Sequence, residues 1–199
     1  MRASVVIPSF SMARFLGETI ASVLRNLQPG DEYFVIDGGS TEGSADIIRQ
    51  HERRFIGWAS EPDHGYADAL AKGFERATGD ILYWVNVGDL LLPDALDAGR
   101  HALGRTGVDM IFGGDFYIDE DNQLISSSRG YLRDLRSAML HGGWTPLPHA
   151  CYWRRELYRR VGGLDPGLRY TADYDLFLRM ALAGRDRFRV LQPIGQSGE

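Results

Sequence analysis

Residues 60–93 read SEPDHGYADALAKGFERATGDILYWVNVGDLLLP, an acidic loop, a helix, a strand and a polar turn in succession. Tyr66, Leu70, Gly73, Phe74 and Ala77 recur at the helical period, while Asp68, Lys72, Glu75 and Arg76 fall mostly on the other face. Gly79 marks the expected end of that helix. Ile81, Leu82, Tyr83, Trp84 and Val85 follow as a continuous apolar run rich in aromatic and branched residues. Such a strand is covered on both faces and lies centrally in its sheet. Asn86 and Asp89 stand where it ends, and in an open α/β sheet the carboxyl ends of strands are where ligands sit. Asp89 is placed either to hold a cation there or to cap a helix opening near Pro93 and Asp94.

Outward from this block the same alternation continues. Val5, Val6 and Ile7 make a first strand running into Pro8, and Phe15 to Leu27 carries helical apolar spacing closed by Pro29 and Gly30. Tyr33 to Ile36 is a second strand ending at Asp37, Ser44 to His51 is the helix behind it, and Phe55 to Trp58 is a short third strand. Repeated βα units predict an α/β fold with a mostly parallel central sheet flanked by helices. After a strand from Asp109 to Phe112 the pattern changes. Phe116 to Ile118 and Gln123 to Ser127, around the acidic turn Asp119 to Asn122, read as a hairpin. Gly142, Gly143, Pro146 and Pro148 punctuate an irregular loop holding His141, Trp144 and His149, and the stretch from Ser126 to Pro148 is expected to be a mobile lid. Glu156 to Val161 and Tyr174 to Leu182 read as the last helices.

Composition bounds the function. The 199 residues are 44% hydrophobic and 25% charged, which suits one globular domain with a full core. A formal charge of -5 argues against a general nucleic-acid binder. Lys72 is the only lysine, and the pairs Arg53 and Arg54, Arg154 and Arg155, and Arg159 and Arg160 read as solvated helix faces ahead of sites for phosphates or lipid heads. No apolar stretch reaches the length of a membrane span, and Ala3 to Ile7 reads as a strand rather than a signal peptide. The single Cys151 rules out an internal disulfide and fits a reducing compartment, and the five His show no zinc spacing. The chain is expected to be soluble and cytoplasmic.

Four carboxylates fall at or near strand ends or loops: Asp37, Asp63, Asp89 and Asp173. Asp37 leads into Gly38, Gly39, Ser40 and Thr41, a turn that lets backbone approach a ligand closely. The turn is neither a Walker A loop, which needs Gly-Lys-Ser/Thr, nor the dinucleotide fingerprint, whose glycines are spaced differently. Phosphates bound beside it need another counter-charge. A divalent cation at Asp89 supplies one, keeping most of its coordination for water and phosphate oxygens as magnesium does.

Val5 to Ser9, Val35 to Ser40, Ser60 to Asp63 with Gly65, Asn86 with Asp89, and Thr171 to Tyr174 together resemble, in that order, the inverting family-two glycosyltransferases of GT-A fold. The variant turn resembles that of bacterial enzymes of exopolysaccharide and lipopolysaccharide assembly. This resemblance spans nearly the whole chain and implies a single GT-A domain over 1–199, with 1–92 as the nucleotide-binding half and 93–199 as the acceptor-side half. It implies that Pro8, Ser9, Asp37 and Asp63 embrace a nucleoside, usually uridine, with Asn86 beside them. Val87, Gly88 and Asp89 stand at the family's Asp-x-Asp motif, or Asn86 to Asp89 at its Asn-Ser-Asp-Asp form, where Gly88 stands in place of an Asp, so Asp89 alone is left to hold Mg or Mn. Thr171, Ala172 and Asp173 stand at its Thr-Glu-Asp motif, which makes Asp173 the catalytic base ahead of Asp175. The His149 to Trp153 stretch resembles a segment lining the acceptor side, so that His149 and Trp144 either touch acceptor or donor sugar or serve the fold.

The implied chemistry is transfer of a sugar from a nucleotide sugar, UDP-linked in the usual case, to a saccharide or lipid-linked saccharide acceptor in surface polysaccharide or glycolipid assembly. A sugar hydroxyl is a poor nucleophile and needs a proton acceptor, and a bound cation stabilises the departing diphosphate. The setting is the cytoplasm, with peripheral contact at the inner face of a membrane. Two other readings remain open. A sugar nucleotidyltransferase would carry a glycine-rich basic loop after Ile7, which is missing; a non-catalytic relative is favoured by Gly88 and Ala172 and opposed by Asp89 and Asp173.

Overall fold

The computed structural model describes residues 1–105, 107–128, 135–142, 146–184 and 187–190. Its first half is built as the alternation predicts: β1 (Ala3–Ser9), α1 (Ala13–Asn26), β2 (Glu32–Asp37), α2 (Ser44–Gln50), β3 (Gly57–Ser60), α3 (Tyr66–Arg76) and β4 (Ile81–Trp84). Then come α4 (Ala95–Leu103), β5 (Met110–Phe112), the hairpin of β6 (Asp115–Ile118) and β7 (Leu124–Ser128), α5 (Leu135–Gly142), β8 (Cys151–Arg154), α6 (Arg155–Arg160), α7 (Ala172–Gly184) and β9 (Phe188–Val190). The described strands order as β3-β2-β1-β4-β8-β5-β9, with β8 antiparallel to both neighbours and the other pairings parallel. The expected α/β fold with a mostly parallel sheet is therefore what forms.

Strand alternation divides the core in two. Val6, Phe34, Ile36, Leu82 and Trp84 pack against Leu70 and Phe74 of α3, Leu135 and Met139 of α5, and Leu176, Phe177 and Met180 of α7. Val5, Ile7, Tyr33, Val35, Ile81 and Tyr83 face Leu16 and Ile20 of α1, Ile48 of α2, and Leu96 and Leu103 of α4. Each fully buried aliphatic or aromatic side chain of this kind contributes roughly 1.5–3 kcal/mol, so both faces are needed. Trp84 stacks on Phe177 with ring centroids 5.9 Å apart and meets Trp153 edge-on at 5.2 Å.

Helix α3 lies unusually close to β1. A Cβ on Gly73 would collide with Val6 Cγ1 and sit 2.9 Å from its Cγ2. Gly73→Ala is accordingly expected to destabilise the protein by about 1–3 kcal/mol through overpacking, less whatever the better helix propensity of alanine returns. Urea titration should show the midpoint fall, and an unchanged midpoint would mean that the helix can retreat from the sheet without cost.

Several local expectations are corrected. The third strand sits two residues later than Phe55 to Trp58, because Phe55 turns to pack on Tyr33 at 4.6 Å. That shift places Ser60 opposite Asp37 in the register. Helix α3 stops at Ala77, which is already extended, so Gly79 is not its cap. Gly79 instead donates its N–H to Ser4 Oγ at 2.8 Å and to the Glu32 carboxylate at 3.2 Å. The expected irregular loop contains α5, anchored by Leu135 and Met139 and by a 2.8 Å bond from Tyr174 Oη to the Met139 carbonyl. Residues 129–134 and 143–145, Trp144 among them, lie outside the described residues, and those parts of the expected lid fall with them.

Glu32 gives the fold an acid-sensitive joint. Burial pushes its carboxyl up, but bonds from Ser4 Oγ at 2.6 Å, from the Thr78 hydroxyl and N–H, and from Gly79 N–H hold it below its ordinary 4.5. A depressed carboxylate stabilises the fold above its unfolded value, and that contribution is lost as pH falls through the folded value. Stability should thus decline below about pH 4.5, and Glu32→Gln should flatten that part of a melting-temperature profile. A variant profile as steep as that of the parent would move the acid sensitivity elsewhere.

Candidate functional site

The carboxyl ends of β1, β2 and β4 lie side by side on one edge of the sheet. Pro8 and Ser9 close β1, and Ser9 Oγ is buried with no hydrogen-bond partner. The Ser9 carbonyl accepts the Gly38 N–H at 2.9 Å, which ties the two strand ends together. A Cβ on Gly38 would lie 3.0 Å and 3.1 Å from the Asp63 carboxylate oxygens and 3.1 Å from Phe10. Asp63 and the exposed Phe10 thus close over the end of β2 from two sides.

Asp37 is fully buried and points inward. Its oxygens accept the Ser40 N–H at 2.9 Å, the Ser40 hydroxyl at 2.6 Å and the Ser60 hydroxyl at 2.7 Å. In the ligand-free protein it therefore shapes the 37–40 turn. Gly39 in that turn has φ +83° and backs onto Pro62, a position that excludes a side chain.

The turn after β4 is held from behind. The Asn86 carbonyl accepts the Asp89 N–H at 3.1 Å, and Gly88 has φ +101°, a backbone that favours glycine. Thr19 of α1, fully buried, accepts the Gly88 N–H and donates to the Asp89 carbonyl, each at 3.0 Å, while Ser22 accepts the Leu91 N–H at 3.1 Å. Asp89 caps no helix, since α4 begins only at Ala95. Its carboxylate is instead about a third exposed, at 36%.

His149 stands across from it. Because β8 runs antiparallel, the residues just before it lie on the same edge as the ends of β4 and β5. Nδ1 of His149 is 3.4 Å from Asp89 Oδ2, Nε2 is 3.4 Å from Asp115 Oδ2, and the backbone carbonyl accepts the Tyr83 hydroxyl at 2.8 Å. Burial opposes charge on this imidazole, yet the two carboxylates outweigh it and raise its pKa above the ordinary value. Among the described residues no three His, Cys, Asp or Glu side chains gather into a group that could hold a metal. One partly exposed carboxylate with an imidazole beside it fits a cation that takes most of its ligands from phosphate and water.

Asp173 lies in the first turn of α7, where the Thr171 carbonyl accepts the Asp175 N–H at 2.9 Å and so marks Thr171, not Asp173, as the cap. The Asp173 N–H bonds the phenol of Tyr66, whose pKa burial, and then the Asp173 charge, push up to about 12. Tyr66 opens α3 directly after the Asp63 loop, so this bond ties the start of α7 to that loop. The carboxylate has no cationic partner among the described residues, whereas Asp175 is bound by Arg179 Nε at 2.9 Å.

Thr19, Ser22 and Asp115 escaped the sequence reading, as did Phe10. Only Phe10 carried a usable signal, an aromatic immediately after a strand end. The arginine pairs are partly structural. Arg154 bonds the Leu103 and Val108 carbonyls, Arg155 bonds the Gly79 carbonyl, and Arg160 meets buried Asp109 at 3.0 Å. Lys72 pairs with Asp68 at 3.2 Å.

The mostly parallel sheet, with β8 inserted antiparallel between β4 and β5, is that of a GT-A glycosyltransferase fold. Residues 4–162 match the model of glycosyl transferase family 2, and the chain belongs to that family. It is 29% identical over 181 residues to an uncharacterized glycosyltransferase of Nostoc sp., covering 83% of this chain and 55% of that one. It is 32% identical over 183 residues to an uncharacterized glycosyltransferase of Mycobacterium tuberculosis, covering 90% of this chain and 68% of that one. The chain thus spans from about half to two-thirds of the length of these relatives. Staphylococcus aureus TarS in complex with UDP-GlcNAc superposes with a TM-score of 0.75 at 15% identity, over 100% of this chain and 60% of that one. Mannosyltransferase PcManGT from Pyrobaculum calidifontis, in complex with GDP-Man and Mn2+, superposes with a TM-score of 0.68 at 21% identity, over 99% and 58%.

Proposed function

We propose that the protein is an inverting glycosyltransferase that moves a sugar from a nucleotide sugar, UDP-linked first among the candidates, to a hydroxyl of a saccharide or lipid-linked saccharide. What supports this reading is an Asp89 turn held from behind by Thr19, Ser9 and Asp37 at the adjoining ends of β1 and β2, and an Asp173 carboxylate that accepts only the Tyr174 N–H and has no cationic partner among the described residues. Pro8, Ser9, the 37–40 turn, Asp63 and Asn86 would bind the nucleoside, with Phe10 against the base. Asp89 would hold Mg2+ or Mn2+, which supplies Lewis-acid stabilisation of the diphosphate leaving group. Asp173 would take the proton of the acceptor hydroxyl as that oxygen attacks the anomeric carbon from the face opposite the nucleotide, and configuration inverts.

Support for an acceptor with an apolar part comes from the β6–β7 hairpin, where Phe116, Tyr117, Ile118, Leu124 and Ile125 are all exposed beside Asp115. Apolar exposure of that extent on one element marks an interaction surface. Among the described residues no helix is long and apolar enough to cross a membrane, and the reaction is placed at the cytoplasmic face of one, in surface polysaccharide or glycolipid assembly. Gly88 lends little to a non-catalytic reading, since its positive φ gives it a backbone reason to be glycine. Calorimetry should show UDP binding strengthened by Mn2+ or Mg2+, and a hydrolysis screen across nucleotide sugars should single out a donor. Failure of UDP and GDP to bind with or without either ion would sink the proposal.

A further inference from the structure

Val87 stands at the first position of the Asp-x-Asp motif and has no carboxylate, so the turn after β4 brings one acidic side chain to a cation where that motif brings two. The structure holds a replacement across the sheet. We propose that His149 is the second protein donor to the cation at Asp89, through Nδ1, and that Asp115 is the residue that positions it; this rests on the nucleotide-sugar reading above.

Three observations converge on it. Nδ1 of His149 and Oδ2 of Asp89 are 3.4 Å apart, close enough for one small ion to touch both. Nε2 bonds the Asp115 carboxylate, whose side chain is 7% exposed and is itself bonded by Ser128 Oγ, so this acceptor is fixed. A buried carboxylate that accepts a hydrogen bond from Nε2–H favours the tautomer with its lone pair on Nδ1, the arrangement by which metal-ligating histidines are oriented. The backbone is fixed as well. Tyr83 Oη holds the His149 carbonyl from β4, the strand that ends at the 86–89 turn, so both donors are mounted on the adjacent strands β4 and β8. Asp115 lies on the far side of the ring from Asp89. It orients the imidazole without joining a three-residue ligand group, in keeping with the lack of such a group among the described residues.

A nitrogen donor changes which ion is preferred. Magnesium favours oxygen ligands, whereas imidazole suits transition metals better. The site should therefore prefer Mn2+ to Mg2+ by more than a single carboxylate would.

Pulsed EPR of the 199-residue chain loaded with UDP and Mn2+ tests this directly. An imidazole nitrogen coupling to Mn2+ is expected, and its pattern should change when the protein is labelled with 15N-histidine, which needs no variant. His149→Gln should abolish the coupling, weaken Mn2+ binding in the presence of UDP on the order of ten- to a hundredfold, and narrow the Mn2+ over Mg2+ preference. Asp115→Asn should keep the coupling while weakening Mn2+ about tenfold or more. Mn2+ and UDP bound together with no histidine coupling would overturn the donor role and leave the nucleotide site standing. No joint binding of Mn2+ and UDP would overturn both.

Discussion

Asp173→Asn is expected to slow sugar transfer by roughly a hundredfold to ten-thousandfold, the range for loss of a positioned general base, while UDP affinity stays close to that of the parent. Binding should survive because the proposed nucleotide contacts come from the ends of β1, β2 and β4, and Asp173 belongs to α7. The fold should survive because the amide keeps the shape of the carboxylate and Thr171 marks the helix start. Asp175 is a poor substitute, since Arg179 Nε donates to it at 2.9 Å. Transfer assays and calorimetry on the same preparation separate the two readouts. Near-parental turnover in Asp173→Asn with collapse in Asp175→Asn would reverse the assignment, and indifference to both would favour a protein that binds nucleotide without transferring sugar.

The second large effect is expected at Asp89. An amide offers a cation no anionic oxygen, so Asp89→Asn should lose the strengthening of UDP binding by Mn2+ or Mg2+ and with it the stabilisation of the leaving group. Lewis-acid stabilisation of this kind is worth several kcal/mol, which corresponds to on the order of a thousandfold in transfer rate. The local backbone should hold, because Thr19 bonds the main chain of Gly88 and Asp89 and not the carboxylate. UDP titrations with and without metal decide the matter: equal metal dependence in variant and parent would place the cation elsewhere.

The β1, β2 and β4 side of the sheet was legible in the sequence because its strands are buried on both faces and its helices are strongly two-sided. Val5 to Ile7, Tyr33 to Ile36 and Ile81 to Val85 are apolar throughout, and polar residues return at each carboxyl end. What stayed hidden depends on pairing across long separations. Cys151 to Arg154 is only four residues, has no alternation to betray it, and becomes a strand because β4 and β5 leave a gap between them. With that strand unseen, nothing joined His149 to Asp89, or either to Asp115, which is 34 positions away from His149. Asp37 illustrates a different limit: its place at the strand end could be read, but its inward turn depends on Ser60, supplied by a strand whose register the apolar pattern put two residues early.

The antiparallel insertion of β8 also sets an order of assembly. Ser9 meets Gly38, and Ser11 meets Ser40, through segments about thirty residues apart, and neighbours so close along the chain find one another early. Asp89 gains its imidazole only when the chain has closed the 66-residue span between Tyr83 and His149, and loop closure of that length, with a strand to be threaded between two others, is an entropic cost met late. The two sides of the proposed centre thus rest on contacts of different span, and a chain in which Ser9 has met Gly38 still lacks the neighbours of Asp89 until residues 149–154 have been fitted between β4 and β5.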